Sequence, residues 1–302
     1  MSSGKGVNIA ASVRQRLINL SRKDKRPFNE LLQHYAMERF LYRLSKSEYV
    51  DRFILKGALM LRAWRSPEVR PTMDIDMLGK TSNEIDSIIA QIRDIIVSVT
   101  ESDGLVFDPD SVRAERITGD ADYEGIRVRF TGSLDNARVS MQIDIGFGDV
   151  VHPAAIDTEL PTILDFPAPR LLGYSRESAI AEKFEAMLKL GELNSRMKDF
   201  FDIWLLSRQF DFDGNDLAEA IRLTLEHRGT KAPEEGAAFT KSFVDDKQVQ
   251  WTAFRNRLGL DHVPADFGEI VTAVEIFIKP VANALVSDSE KPQQWIAPGP
   301  WK

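Results

Sequence analysis

The chain contains no cysteine among its 302 residues. Disulfide bonds, thiolate zinc sites and a cysteine nucleophile are therefore excluded. This absence agrees with a reducing compartment, and we expect a cytoplasmic protein. No apolar run is long enough to span a membrane, and residues 1–5 lack the apolar region of a signal peptide. We therefore expect no membrane partner.

Histidine is scarce too, and the four histidines are scattered without the spacing of metal ligands. The sequence also lacks Gly-x-Ser-x-Gly, Walker A and paired-glycine dinucleotide motifs. These absences argue against α/β-hydrolases, P-loop NTPases and Rossmann dehydrogenases. The formal net charge of −7 argues against a protein that coats nucleic acid indiscriminately, although a local basic groove for one RNA is compatible with it.

Hydrophobic periodicity predicts an α+β protein in four parts. Apolar residues recur at helical spacing in residues 1–50, alternate with polar residues within the core at residues 51–155, and return to helical spacing within residues 156–288. Residues 152–170 are rich in proline and predict an extended connector. The last part, residues 289–302, predicts a poorly ordered tail.

The strongest chemical signal is a Lys-Gly turn followed by an Asp-x-Asp strand. Residues 53–55 predict a short buried strand that ends at Lys56 and Gly57, and Asp74 and Asp76 stand on the next predicted strand. A glycine at a strand-to-helix turn lets backbone N–H groups approach a phosphate. Carboxylates two positions apart project from the same face of a strand and can hold Mg²⁺ against a triphosphate. A phosphate-binding turn followed by a metal-binding pair of carboxylates is typical of the active site of a nucleotidyltransferase.

A third carboxylate, Asp144, lies on the polar face of a later predicted strand. It would join the first pair if the two strands are neighbours in the sheet. Three carboxylates suit two metal ions, or one metal ion and a general base for an incoming hydroxyl. The alternative is an exposed strand carboxylate without a chemical role.

The helical region contains a second group of charged residues. Lys183 lies on a predicted amphipathic helix, where a solvated lysine is the simplest interpretation. Arg196, Asp199 and Asp202 follow at spacings of three, so they share one face of a helix. Because aromatic residues such as Phe200 stand among these charges, we expect a partly buried polar network.

Together these motifs resemble the AbiEii/AbiGii nucleotidyltransferase toxin family. The resemblance rests on residues 56–59 (KGAL), 70–76 (RPTMDID), 182–186 (EKFEA) and 196–202 (RMKDFFD), whose order and spacing match across roughly residues 50–210. It implies a polymerase-β-like nucleotidyltransferase core, a mixed sheet with helices, between an N-terminal helical segment and a C-terminal helical bundle. It also implies a toxin of bacterial toxin–antitoxin and phage-defence systems, paired with a separately encoded antitoxin.

The resemblance also implies roles for individual residues, with NTP as co-substrate and one or two Mg²⁺ ions. The implied metal ligands are Asp74, Asp76 and Asp144, and Asp144 would orient or deprotonate the acceptor hydroxyl. The implied catalytic residues are Asp74, Asp76, Asp144, Lys183, Asp199 and Asp202. The implied nucleotide-binding residues are Lys56, Gly57, Ala58, Thr72, Lys183 and Arg196. Lys183 would neutralise charge on the phosphates, since preorganised charges stabilise phosphoryl transfer.

The chain departs from the family at the turn that follows the first strand. The family often has Gly-Gly-Thr/Ser where this chain has Gly57, Ala58 and Leu59, so a hydroxyl donor to the phosphates is missing. Main-chain N–H groups, Lys56 or Thr72 are candidates to replace it.

The acceptor implied by the resemblance is an RNA hydroxyl, such as a tRNA 3′ end. Four arginines could line a basic rim for RNA phosphates or simply add solubility: Arg62, Arg65, Arg127 and Arg129. Two alternative functions stay open. One is a small-molecule nucleotidyltransferase of the aminoglycoside-modifying kind, and the other is a non-catalytic scaffold that retains the fold, against which the intact carboxylate set argues.

Overall fold

A computed structural model describes most of the chain, in the ranges 8–68, 70–117, 125–231, 239–287 and 292–302. The chain divides into two compact units. The first comprises Met1–Gly148 and Ile156–Gly173, and the second comprises Asp149–Ala155 and Tyr174–Lys302. The N-terminal residues 1–5, considered above for a signal peptide, lie outside the described ranges. Among the described residues, no helix combines the length and the apolar character that crossing a membrane requires.

The first unit contains a mixed sheet with helices. Its helices are α1 (Ile9–Asp24), α2 (Phe28–Lys46), α3 (Leu59–Ala63) and α4 (Ile85–Val97), with a 3₁₀ turn at Val50–Arg52. Its strands are β1 (Phe53–Lys56), β2 (Ile75–Gly79), β3 (Leu105–Ile117), β4 (Gly125–Leu134), β5 (Ala137–Phe147), β6 (Ile156–Glu159) and β7 (Arg170–Gly173). The strand order is β3-β4-β5-β2-β1-β7-β6, with β2 parallel to β5 and β1 parallel to β7. The predicted α+β class with a mixed sheet is confirmed.

Helix α2 is buried around its whole circumference, since every residue from 31 to 44 is buried. A helix in this position must satisfy any charge that it carries. Glu38 accepts hydrogen bonds from the Ile163 backbone N–H at 3.0 and 3.2 Å, and Arg43 pairs with Asp103 at 2.8 Å. The helical segment predicted at the N-terminus therefore belongs to the same unit as the sheet.

The segment predicted as an extended connector, residues 152–170, contributes to the sheet instead. Strand β6 lies within it and pairs antiparallel with β7, which pairs parallel with β1. The prediction was wrong over these residues because each strand has only four residues. So short a segment gives little alternation to detect.

The second unit is mainly helical. Its helices are α5 (Arg176–Leu190), α6 (Met197–Gln209), α7 (Gly214–His227), α8 (Lys241–Leu258) and α9 (Phe267–Ser287), with a 3₁₀ turn at Gly191–Leu193. Its two short strands are β8 (Phe212–Asp213) and β9 (Gln294–Trp295). Aromatic rings fill its interior, as in the T-shaped pair of Phe200 and Phe267 at 5.2 Å between centroids. Contacts of this kind stabilise a core beyond the area that they bury.

The tail expected to be poorly ordered is packed over its described residues, 292–302. Trp295 lies on β9, is only 3% exposed, and donates its indole N–H to the Ser207 carbonyl at 2.6 Å. Trp301 stacks on Phe277 at 5.6 Å and donates to its carbonyl at 2.8 Å. The prediction was wrong here because it relied on the prolines of this segment. The two tryptophans pack against residues that are distant in the sequence, and composition alone does not reveal such contacts.

Replacing Trp295 by alanine should therefore destabilise the second unit. Truncation of a buried tryptophan typically costs about 3–5 kcal/mol of unfolding free energy. The measurement is urea unfolding followed by circular dichroism. Leu193→Ala is the control, because Leu193 is 86% exposed in the same unit. Equal midpoints for the two variants would show that the C-terminal segment does not contribute to the core.

Candidate active site

Strand register places four charged residues in one row across the sheet of the first unit. Arg127 on β4 faces Asp144 on β5, Asp144 faces Asp76 on β2, and Asp76 faces Lys56 on β1. Residues directly opposite one another on paired strands project from the same face. The row therefore consists of two carboxylates between two cations. The strand of Asp144 is thus a neighbour of the Asp-x-Asp strand, which is the condition for Asp144 to join the first pair.

Asp74 stands one residue before β2 and completes a cluster of three carboxylates. Carboxylate oxygens of Asp74, Asp76 and Asp144 all lie within 4.8 Å of one another. The Thr72 hydroxyl donates to Asp74 Oδ1 at 2.6 Å, which orients that carboxylate. Such oxygen ligands suit a hard divalent cation, and a cation would relieve their mutual repulsion. The residues present thus fit a metal ion.

Gly57 is required at its position for two separate reasons. Its φ is +73°, a conformation that side-chain-bearing residues rarely adopt. A Cβ added there would overlap the Asp76 carboxylate. The turn therefore brings backbone directly against one of the three clustered carboxylates, and no larger residue can take its place without moving Asp76.

Arg127 holds Asp144 through two hydrogen bonds. Its Nε donates to one carboxylate oxygen at 2.8 Å and its Nη2 to the other at 2.6 Å. The hydrogen bond to Asp144 raises the pKa of Arg127 above its ordinary value. Arg129, the other strand arginine considered for an RNA rim, pairs with Glu115 at 2.6 Å. Both guanidinium groups are thus engaged with carboxylates, and Arg127 balances charge within the cluster.

Sequence reasoning did not identify Arg127 as the partner of Asp144, although a signal for it exists. The hairpin turns at residues 135–136, so residue 134 pairs with 137. Counting outward from that turn places position 127 opposite position 144. Register is set by turn geometry, and the turn is visible in the sequence.

The second unit contains the other group of predicted residues, which we term the lysine network: Lys183, Arg196, Asp199 and Asp202. The Lys183 ammonium lies 2.9 Å from Asp202 Oδ2 and 3.4 Å from Asp199 Oδ1. Arg196 Nε lies 2.5 Å from Asp199 Oδ2. The expected partly buried polar network is confirmed, and the simple solvated lysine is wrong.

In the lysine network, the side chains of the two aspartates are more deeply buried than that of Lys183. The side chains of Asp199 and Asp202 are 0% and 3% exposed, whereas that of Lys183 is 15% exposed. Buried charges are tolerated when they are paired. The two carboxylates are therefore structural anchors that hold one ammonium in a fixed place at the surface of its unit.

Each unit assembles its own set of predicted residues. The first unit contains the turn, the hydroxyl and the carboxylates, namely Lys56, Gly57, Ala58, Thr72, Asp74, Asp76 and Asp144. The second unit contains Lys183, Arg196, Asp199 and Asp202. Thr72, predicted as a nucleotide ligand, donates its hydroxyl to Asp74 in this structure.

Replacing Gly57 by alanine should displace Asp76 and weaken divalent-metal binding by about tenfold or more, since one of three ligands moves. The measurement is titration with Mn²⁺, read by its paramagnetic signal. Gly229→Ala is the control, because Gly229 also has positive φ (+63°) but nothing within 4 Å of its added Cβ. Unchanged Mn²⁺ affinity in folded Gly57→Ala would contradict the steric argument, as would an equal loss in both variants.

Comparison with known proteins identifies relatives of the chain. The sequence model of the AbiEii nucleotidyltransferase toxins of type IV toxin–antitoxin systems matches residues 39–273. A crystal structure from Helicobacter pylori, provisionally described as a nucleotidyltransferase, shows 13% identity and a TM-score of 0.49, covering 86% of this chain and 97% of that one. JHP933 from Helicobacter pylori shows 14% identity and a TM-score of 0.49, covering 86% and 98%. No curated protein matches the chain.

Proposed function

Because the chain belongs to the AbiEii family of nucleotidyltransferase toxins from type IV toxin–antitoxin systems, we propose that it transfers a nucleotide from an NTP to an RNA acceptor, the tRNA 3′ end, with Mg²⁺. Translation and growth would stop, because a modified 3′ end cannot be aminoacylated. The proposal rests on one observation, the cluster of Asp74, Asp76 and Asp144 at the Gly57 turn.

The first unit supplies the groups that act at the reacting phosphorus. Transfer forms a bond from the acceptor oxygen to the α-phosphorus as the bond to pyrophosphate breaks. Asp74 and Asp76 would hold Mg²⁺, which would supply positive charge against the triphosphate, and Thr72 fixes the orientation of Asp74. Asp144, held by Arg127, orients the acceptor hydroxyl and takes its proton. Gly57 lets the phosphates approach the backbone.

The second unit supplies a preorganised positive charge. Lys183 is fixed by two buried carboxylates, so its ammonium does not need to reorganise when charge develops on the phosphates. Arg196 fixes Asp199 in turn. Lys183 therefore neutralises the triphosphate, and Asp199 and Asp202 are positioning residues.

The biological setting follows from the proposed substrates. NTPs and tRNA are both cytoplasmic, so the protein would act there, in phage defence among other settings. A separately encoded antitoxin would neutralise it. The aminoglycoside-type alternative differs in acceptor only, so an acceptor screen separates the two functions.

The double substitution Asp74→Asn and Asp76→Asn should leave the fold intact and reduce transfer by a hundredfold or more, because the metal loses two ligands. The measurement is incubation with total RNA, Mg²⁺ and each α-labelled NTP. Asp108→Asn with Asp110→Asn is the matched control, since it changes an exposed Asp-x-Asp of the same unit. Label found only on added aminoglycosides would favour the alternative, and full transfer by the folded double variant would refute the metal role.

Lys183→Ala should slow transfer by about a hundredfold or more, the usual loss for one preorganised charge. Because the change leaves two buried carboxylates without their lysine, the unfolding free energy of each variant is measured alongside its rate. Lys183→Arg retains the charge and should recover part of the rate. Lys189→Ala, an exposed lysine of the same helix, is the control. An unchanged rate in folded Lys183→Ala would show that the lysine network is structural only.

A further inference from the structure

Asp74 lies just outside the hydrogen-bonded part of the sheet. Among the described residues, the pairing of β2 with β5 begins at Ile75, which faces Ile143, and the pairing of β2 with β1 begins at Asp76. The residue before Asp74 is Met73, whose side chain is 54% exposed, so burial of that side chain does not anchor the backbone. The position of Asp74 therefore depends on hydrogen bonds made to the segment that precedes β2.

Gln33 on the buried helix α2 makes such a hydrogen bond. Its side chain is 5% exposed, and its amide Nε2 donates to the Met73 carbonyl at 3.0 Å. That carbonyl belongs to the peptide group that leads into Asp74. Because a peptide group is planar, fixing its oxygen restricts where the Asp74 Cα can lie. Helix α2 thus holds the backbone at the start of the carboxylate cluster.

The same amide nitrogen also contacts the strand that carries Asp144. Gln33 Nε2 lies 3.9 Å from the Met141 sulfur, and Met141 is 1% exposed on β5, three residues before Asp144. An amide NH₂ group has two donor hydrogens, so both contacts can form together, although a thioether is a weak acceptor. One buried side chain therefore contacts both chain segments that supply carboxylates from β5 and from the start of β2.

Gln33 and Thr72 act on Asp74 in different ways. The Thr72 hydroxyl donates to the Asp74 carboxylate and so orients the side chain. Thr72 belongs to the same segment as Asp74, however, and moves with it. Gln33 belongs to a separate element that is buried around its whole circumference. Thr72 therefore sets the direction of the carboxylate, whereas Gln33 sets the position of the backbone that carries it.

We propose that Gln33 is a positioning residue for the metal site, because it holds the Met73 carbonyl and thereby keeps Asp74 beside Asp76 and Asp144. This inference rests on the proposed function, in which those carboxylates hold Mg²⁺, and deepens it by stating what fixes the first of them. Groups that orient metal ligands contribute to metal affinity without touching the metal.

The test measures the affinity of the full chain for Mn²⁺ by its paramagnetic signal, without NTP or RNA. Gln33→Met retains the length of the side chain but removes both amide donors. It should weaken Mn²⁺ binding by about tenfold or more, the usual loss when a ligand loses its supporting hydrogen bond. Gln91→Met is the matched control, because Gln91 is a 4% exposed glutamine of the same unit that donates to the Thr81 and Ser87 hydroxyls. It should bind Mn²⁺ as the parent does.

The unfolding free energy of each variant is measured alongside its Mn²⁺ affinity. Unchanged Mn²⁺ affinity in folded Gln33→Met would make Gln33 structural only and overturn the proposal. An equal loss of affinity in Gln33→Met and Gln91→Met would also overturn it, since any buried glutamine would then have the same effect. Gln33→Asn is the second variant in case Gln33→Met does not fold. It retains the amide but is one methylene shorter, so it should lose affinity in the same way.

Combining Gln33→Met with Thr72→Val tests whether the two residues act through the same carboxylate. Residues that share a partner have non-additive effects. If both act through Asp74, the double variant should lose less Mn²⁺ affinity than the product of the two single losses. Losses that multiply in full would show that Gln33 acts elsewhere, which contradicts the proposal.

Failure of the positioning role and failure of the proposed function give different results. If the parent transfers nucleotides to RNA but Gln33→Met binds Mn²⁺ as the parent does, the positioning role is wrong and the function stands. If Gln33→Met loses Mn²⁺ affinity and Gln91→Met does not, but the parent modifies no acceptor, the positioning role stands and the function is wrong.

Discussion

The main physical constraint on the first unit is the electrostatic repulsion between the carboxylates of Asp74, Asp76 and Asp144. Charges within 4.8 Å of one another repel by about 3–4 kcal/mol per pair at an effective dielectric constant of 20, a large part of the stability of a whole domain. The sheet holds Asp76 and Asp144 opposite each other in spite of this. Arg127 offsets part of the repulsion, and Thr72 satisfies one oxygen of Asp74. The remainder favours a bound cation.

In the lysine network, the repulsion between neighbouring carboxylates is offset in a different way. Its two carboxylates are deeply buried and are matched by two cations, Lys183 and Arg196. Each carboxylate of that network thus has a cationic partner from the protein itself. The carboxylate cluster, in contrast, keeps an excess of negative charge. The lysine network therefore pairs each carboxylate with a cation, whereas the three carboxylates of the cluster fit a metal ion.

Much of the site was predictable because it is local in sequence. The shared face of Asp74 and Asp76 follows from the period of a strand, and the shared face of Arg196, Asp199 and Asp202 follows from the period of a helix. Element types were predictable for the same reason. Predictions failed where a segment was too short for periodicity, as in the four-residue strand β6, or where proline-rich composition concealed the buried Trp295.

The sequence by itself determined the longer helices and strands, the pair of carboxylates at Asp74 and Asp76, and the turn at Gly57, because these depend on backbone geometry over a few residues. Tertiary structure alone decided which strands are neighbours, and so whether Asp144 joins the cluster. It also decided that Lys183 reaches Asp202 on the next helix. The physical reason is that strand order and helix packing depend on side-chain fit between distant segments, which no local period records.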